Sequence, residues 1–216
     1  MGVDPTLFTN LFGAIGLGAA SGLNAWIPLL GLGIAQRLGL VTLTRPFDSL
    51  GSTTALIVLG VIFLIDLIGD KIAVVDTVLH AAGTVVAPAS GAVVFAAQEN
   101  LISQSHPWLA GVSGMVLGGS MHLGRSALRP AVTATTGGAG NPIVSFIEDA
   151  VSTVLTVLAV LVPVLAFLFL VAMVFFAVRF FRRWRRRRNS ARASRLPALG
   201  PGGLPPPGPG GPRAVP

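Results

Sequence analysis

The chain contains no cysteine. Disulfides, thioether-attached haem, thiolate metal sites and cysteine nucleophiles are thereby excluded. Charge is nearly as scarce. Only 11% of the 216 residues are Asp, Glu, Lys or Arg, against 52% hydrophobic residues, where a soluble domain carries about 25% charge. The mean hydropathy of +0.78 agrees. So few charges cannot cover the water-facing surface of a chain this long, which excludes an ordinary soluble domain. Met1 to Leu11 hold no basic residue. They lack the charged region of a secretory signal and read as mature sequence. No complete catalytic set is present: no Ser-His-Asp order with elbow glycines, no His-Glu-x-x-His and no phosphate-binding loop. The expectation is a protein that is not an enzyme and takes no cofactor and no metal.

The longest charge-free run is Ala150 to Val178, 29 residues, and nine arginines follow between Arg179 and Arg195. A spanning helix needs about 20 apolar residues, because the hydrocarbon core is about 30 Å thick and each residue rises about 1.5 Å. Lys and Arg gather at cytoplasmic ends. The run therefore reads as a membrane span with a cytoplasmic C-terminus, in the inner (plasma) membrane. The net charge of +7 is concentrated there; residues 1–178 hold five basic and eight acidic residues. The arginine block reads as a topology anchor touching anionic lipid headgroups, with no aromatic-basic interleaving or fold motif for nucleic acid.

Five apolar segments can be drawn: Thr6–Gln36, Ser49–Ile65, Ala81–Gln98, Pro107 to about Leu128, and Ala150–Val178. The expected fold is all-α: a polytopic membrane helical bundle of about five transmembrane helices, with broken or re-entrant segments. Residues 1–178 form the transmembrane domain, 179–195 a basic juxtamembrane segment and 196–216 a disordered Pro/Gly-rich cytoplasmic tail, too poor in apolar periodicity to pack. Five crossings with the C-terminus inside place the N-terminus outside and the loop with Arg37 and Arg45 inside. Gly18/Gly22 and Gly114/Gly118 have the spacing that lets membrane helices approach closely. Gly22-Leu-Asn-Ala-Trp-Ile-Pro28 shares a pattern with Gly124-Arg-Ser-Ala-Leu-Arg-Pro130. With three crossings between their starts, the two would form an inverted repeat, an arrangement common in transporters.

Ionisable groups at membrane depth are costly and mark function by default. Asp66 and Asp70 share a helix face, with Lys71 beside them; Asp76 and His80 are again four apart. His122, Arg125 and Arg129 form a cationic stripe, and Ser145, Glu148, Ser152 and Thr156 a polar one, with Asp149 adjoining. Two readings stay open. The charges cap helix ends near the interface, or Arg125 and Arg129 face acids from other helices across a wet cavity. Pro130 to Pro142, with Thr133, Thr135 and Thr136 and its glycines, is either an ordinary loop or a re-entrant segment that turns N–H groups toward an anion. The expected polar pathway comprises Asn24, Asp66, Asp70, Lys71, Asp76, His80, His122, Arg125, Arg129, Thr133, Thr135, Thr136, Glu148 and Asp149. Asp76 and His80 could hold a metal or pass protons, but such a pair is more often a structural hydrogen bond.

Three stretches carry a resemblance: Ala20–Pro28, Asp70–His80, and Leu128-Arg-Pro-Ala-Val-Thr-Ala-Thr-Thr-Gly-Gly138 leading to Asn141-Pro142 and Glu148-Asp149. With them the chain resembles the bacterial membrane proteins of domain of unknown function 4126, over about residues 10 to 175. The resemblance implies a multi-spanning membrane protein, no established activity and no catalytic residues. The function expected is a pathway for a small solute or ion. The alternative is a membrane scaffold or assembly partner without transport, motivated by the glycine pairs and the arginine-proline tail. A homo-oligomer or a membrane partner remains open, and a lipid-acting enzyme is the third class.

Overall fold

The computed structural model describes residues 4–193. The Pro/Gly-rich tail over 196–216 lies outside the described residues. Among those described, the chain is all-helical apart from one isolated bridge, Leu43 to Gln98. The helices are α1 (Pro5–Leu23), α2 (Trp26–Arg37), α3 (Thr53–Gly69), α4 (Ala73–Ala97), α5 (Leu101–Ser105), α6 (Pro107–Thr136), α7 (Asn141–Leu161) and α8 (Pro163–Ala193), with a 3-10 turn at Phe47–Gly51. Four helices contain stretches long and apolar enough to cross a membrane, and α3 is a shorter apolar helix. The protein is a multi-pass membrane protein. It divides into two units, Met1–Val171 and Ala172–Pro216. In the second, Phe175 and Phe176 meet edge to face on α8.

The first apolar segment, expected as one crossing, is two helices. Asn24 and Ala25 interrupt it, and α2 turns back. The register shows this. Along α1, Gly13 lies against Ala159 and Pro163, Ala20 receives the Ser152 hydroxyl, and Asn24 meets Asp149. So α1 and α7 are antiparallel. Along α2, Gly31 then lies against Thr156, and Leu29 and Leu32 return to the cluster around Leu17 and Ala159. The fifth segment is likewise divided, by Val162 between α7 and α8. Pro163 sits beside Gly13 and Ala166 beside Gly16, so α8 starts parallel to α1. Within the unit Met1–Val171, helices α1, α2, α3, α4, α6, α7 and the start of α8 thus alternate in direction.

The glycines explain the close packing. A Cβ at Gly22 would run into the backbone of Gly118 and His122, one at Gly114 into Gly91, and one at Gly118 into Ala87 at 2.6 Å. Both expected glycine pairs are used inside the bundle, joining α1 to α6 and α6 to α4. Lipid offers no hydrophobic drive between helices, so this backbone proximity and the dispersion it permits hold them. The second half of α1, Gly13 to Leu23, is buried throughout except Ile15. By contrast α3 buries only Gly69.

The same registers set α1 and α6 parallel: Gly18 lies on Leu117 and Gly22 on Met121 and His122. The pattern at Gly22–Pro28 crosses from the end of α1 into α2, whereas Gly124–Pro130 lies wholly within α6, and α1, which carries the first copy's glycine, runs parallel to α6, so the two copies are not related by inversion. Their backbones differ too, since α6 continues as helix through Pro130. Pro130–Pro142 is neither a long loop nor re-entrant. Most of it is the last turns of α6. The reversal takes only residues 137–140, where Gly137 and Gly138 have φ of 62° and 90°, a region closed to most side chains.

Candidate functional site

The break at Asn24 leaves helix-end groups without partners of their own, and in a membrane interior each must be met by protein. Side chains meet them. Asn24 itself caps α2: its Oδ1 accepts from the N–H of Trp26 at 2.9 Å and of Ile27 at 3.3 Å. Among the last carbonyls of α1, Ala20 accepts from Ser152 Oγ at 3.1 Å and Leu23 accepts from Arg125 Nη1. The Ala25 carbonyl accepts from Ser90 Oγ at 2.6 Å. A cation at the negative end of α1 also complements the helix dipole.

Because Oδ1 of Asn24 is committed to backbone donors, its Nδ2 faces the other way. It donates to Asp66 Oδ2 at 3.0 Å and Asp149 Oδ1 at 2.9 Å. Two carboxylates from different helices thus meet on one amide. Beside them Glu148 Oε2 takes Arg125 Nη1 at 3.2 Å and Arg129 Nη2 at 3.1 Å, while Arg129 Nη1 reaches Asp76 Oδ1 at 2.5 Å. Ser145 Oγ donates to Asp70. Arg129, Glu148 and Asp149 are each only 8% exposed. The pairing demanded by the cost of a lone arginine is therefore present, and it draws on α4, α6 and α7.

A cavity of about 60 Å³ opens beside the break, lined by Asn24, Trp26, Asp66, Gly83, His122 and Arg125 among others. That is room for water rather than for a sizeable solute. His122 is 1% exposed, and neither ring nitrogen has a hydrogen-bond partner. It stacks on His80 with centroids 5.1 Å apart. Gly83 makes the space: a Cβ there would lie 2.6 Å from His122 Cε1.

Not every expected site residue joins. Thr133, Thr135 and Thr136 are exposed near the end of α6. Thr133 pairs with the Asn141 side chain at 3.2 Å, and the other two bond carbonyls of their own helix. Lys71 is exposed at the turn from α3 to α4. The remaining ten gather around the break.

A larger cavity, about 260 Å³, lies toward the α1 N-terminal end, lined by Asn10, Gly13, Thr42, Gln98, Glu99 and Pro163 among others. Gln98 is buried and its Oε1 has no partner. The expected site does not include it. Its signal, a Gln-Glu-Asn run ending an apolar helix, reads as an ordinary boundary. Among the described residues no group of three His, Cys, Asp or Glu side chains could hold a metal ion.

No curated protein and no solved structure matches the chain. The model of one family matches residues 11–183, a span that takes in the helix break and every member of the ion-pair cluster, and the chain accordingly belongs to the family of the domain of unknown function 4126.

Proposed function

We propose that the protein is a pathway for a small solute or ion through the inner (plasma) membrane. The observation that carries this reading is the ion-pair cluster of Asp76, Arg125, Arg129 and Glu148, built beside a broken helix, with Arg125 also lining a small cavity of mixed polar and apolar walls. Buried ion pairs are a poor route to stability, since well-packed apolar residues of similar volume usually serve as well or better. A protein that only held helices together would have little use for them. Discontinuous helices whose ends point at charged groups are a recurrent way of making a solute site within a membrane. The cavity toward the other end of α1, with Asn10 and Gln98, supplies a second polar station.

The scaffold alternative loses one of its motives, because both glycine pairs are occupied within the bundle. The arginines of 179–195 orient the C-terminus to the cytoplasm and rest among anionic headgroups. With α1 and the start of α8 running in one direction, the N-terminus lies outside. A homo-oligomer is compatible with this reading.

Reconstitution into liposomes tests the proposal. A panel of small solutes and monovalent ions should include at least one whose flux exceeds that of protein-free vesicles and falls in Glu148→Gln. Equal flux in wild type, variant and empty vesicles across the panel would refute it.

A further inference from the structure

We infer that Asp66 and Asp149 together bind one proton across the Asn24 amide, and that His122 exchanges it through the adjoining cavity. The inference rests on the pathway reading of the same cluster and names its ion. Its geometry begins with charge. Glu148 meets two arginines and Asp76 one, but no cation lies within salt-bridge distance of Asp66 or Asp149 among the described residues. Their one shared donor is Asn24, neutral, with both carboxylates in hydrogen-bonding reach of a single nitrogen. Asp149 Oδ2 is buried and meets nothing. Two like charges so close in a low-dielectric interior repel strongly, and a shared proton is the usual resolution.

A metal cation fits less well. The amide N–H groups of Asn24 already occupy the space between the two acids, and its oxygen is held by Trp26 and Ile27. A proton needs no such space: on Asp66, the acid that lines the cavity, it supplies the neutral form, while Oδ2 still accepts from Asn24.

The second observation is independent of the acids. His122, from α6, lines the same cavity as Asp66, is 1% exposed and has both ring nitrogens without a partner. A cavity water between Asp66 and His122 would let the O–H bond break at the carboxyl as an N–H bond forms on the imidazole, with charge conserved. His80 stacks behind His122 and continues toward Asp76 on α4. The other charged groups facing the site are Asp70 from α3, Arg125 and Arg129 from α6, and Glu148 from α7. Lys71 lies at the α3–α4 turn.

Infrared difference spectroscopy of the full chain in lipid nanodiscs tests this. At neutral pH the wild type should show the carbonyl stretch of one protonated carboxylic acid, shifted in D2O and lost on titration to high pH. It should vanish in the double variant Asp66→Asn/Asp149→Asn. No such band in the wild type, or a band that survives the double variant, overturns the inference. If the double variant does not fold, Asp149→Glu must shift the band frequency, and an unshifted band overturns it equally. In His122→Gln, the band should return after a pH jump more slowly by on the order of a hundredfold, with the same final amplitude. An unchanged rate removes His122 from the exchange. A titrating band without flux in liposomes would leave the proton site and end the pathway reading; flux without the band would do the reverse.

Discussion

Replacing Glu148 by Gln keeps the shape of the side chain and removes the charge that two guanidinium groups share. Arg129 would keep Asp76 at 2.5 Å, while Arg125 would keep only the Leu23 carbonyl. The side chains of this triad are 10–16% exposed, so solvent screens little of the loss. Breaking a buried pair by removing one partner costs about 3–5 kcal/mol, because the other charge is left bare. With Arg129 still paired, the lower end applies, about 3 kcal/mol, or roughly a hundredfold in the unfolding equilibrium. Arg129→Ala should cost more than Arg125→Ala, since it strips Asp76 as well as half of Glu148. The assay is reversible denaturant titration in mixed micelles, followed by fluorescence, with Trp26 beside the site as reporter. A double-mutant cycle of Glu148→Gln with Arg125→Ala isolates the pair and should give a coupling of about 0.5–3 kcal/mol. If Glu148→Gln is as stable as wild type and the cycle is additive, the pairs contribute nothing and the argument from buried charge fails.

Other consequences follow from separate parts of the fold. Gly22→Ala should destabilise by roughly 1–3 kcal/mol, because its Cβ meets the backbone of α6, while Gly60→Ala, with nothing within 4 Å, should be neutral or slightly stabilising; equal melting of the two variants would deny the close packing. Asn24→Ala removes the cap of α2 and the shared donor of two acids. A loss of about 2 kcal/mol or more is expected, and an unchanged denaturation midpoint would count against the bridge. Reporter fusions after Leu40, Ile72, Gln104 and Gly138 should read outside, inside, outside, inside, following the alternation of helices. The opposite series would restore a single first crossing. The Thr6 N–H donates to Asp4 and holds that carboxyl below its usual range. The protection is present above the ordinary carboxylate range and lost as pH falls through the lowered value. Amide exchange in the first turn of α1 should therefore quicken on acidification in the wild type and be pH-insensitive, after correction for intrinsic rates, in Asp4→Ala.

Composition alone determined that this is a helical membrane protein. An 11% charged chain has no surface to offer water, and the arginines after Val178 oblige one end to stay at an interface. The sequence also placed Arg125 and Arg129 where a lone charge would be costly, but that they meet acids rather than cap helix ends was decided by the fold. Tertiary structure decided where the helices break. Hydropathy sums apolar content and cannot see that Asn24 turns its amide oxygen back on the chain, or that Val162 interrupts a run of 29 uncharged residues. The break at Asn24 is sustained because Ser90, Arg125 and Ser152, distant in sequence, meet the polar groups around it. Conversely, Pro130 and three threonines suggested irregular backbone where α6 simply continues. The direction of each helix, and hence which acids meet on Asn24, depended on glycines packing backbone against backbone, a relation between segments that neither segment carries by itself.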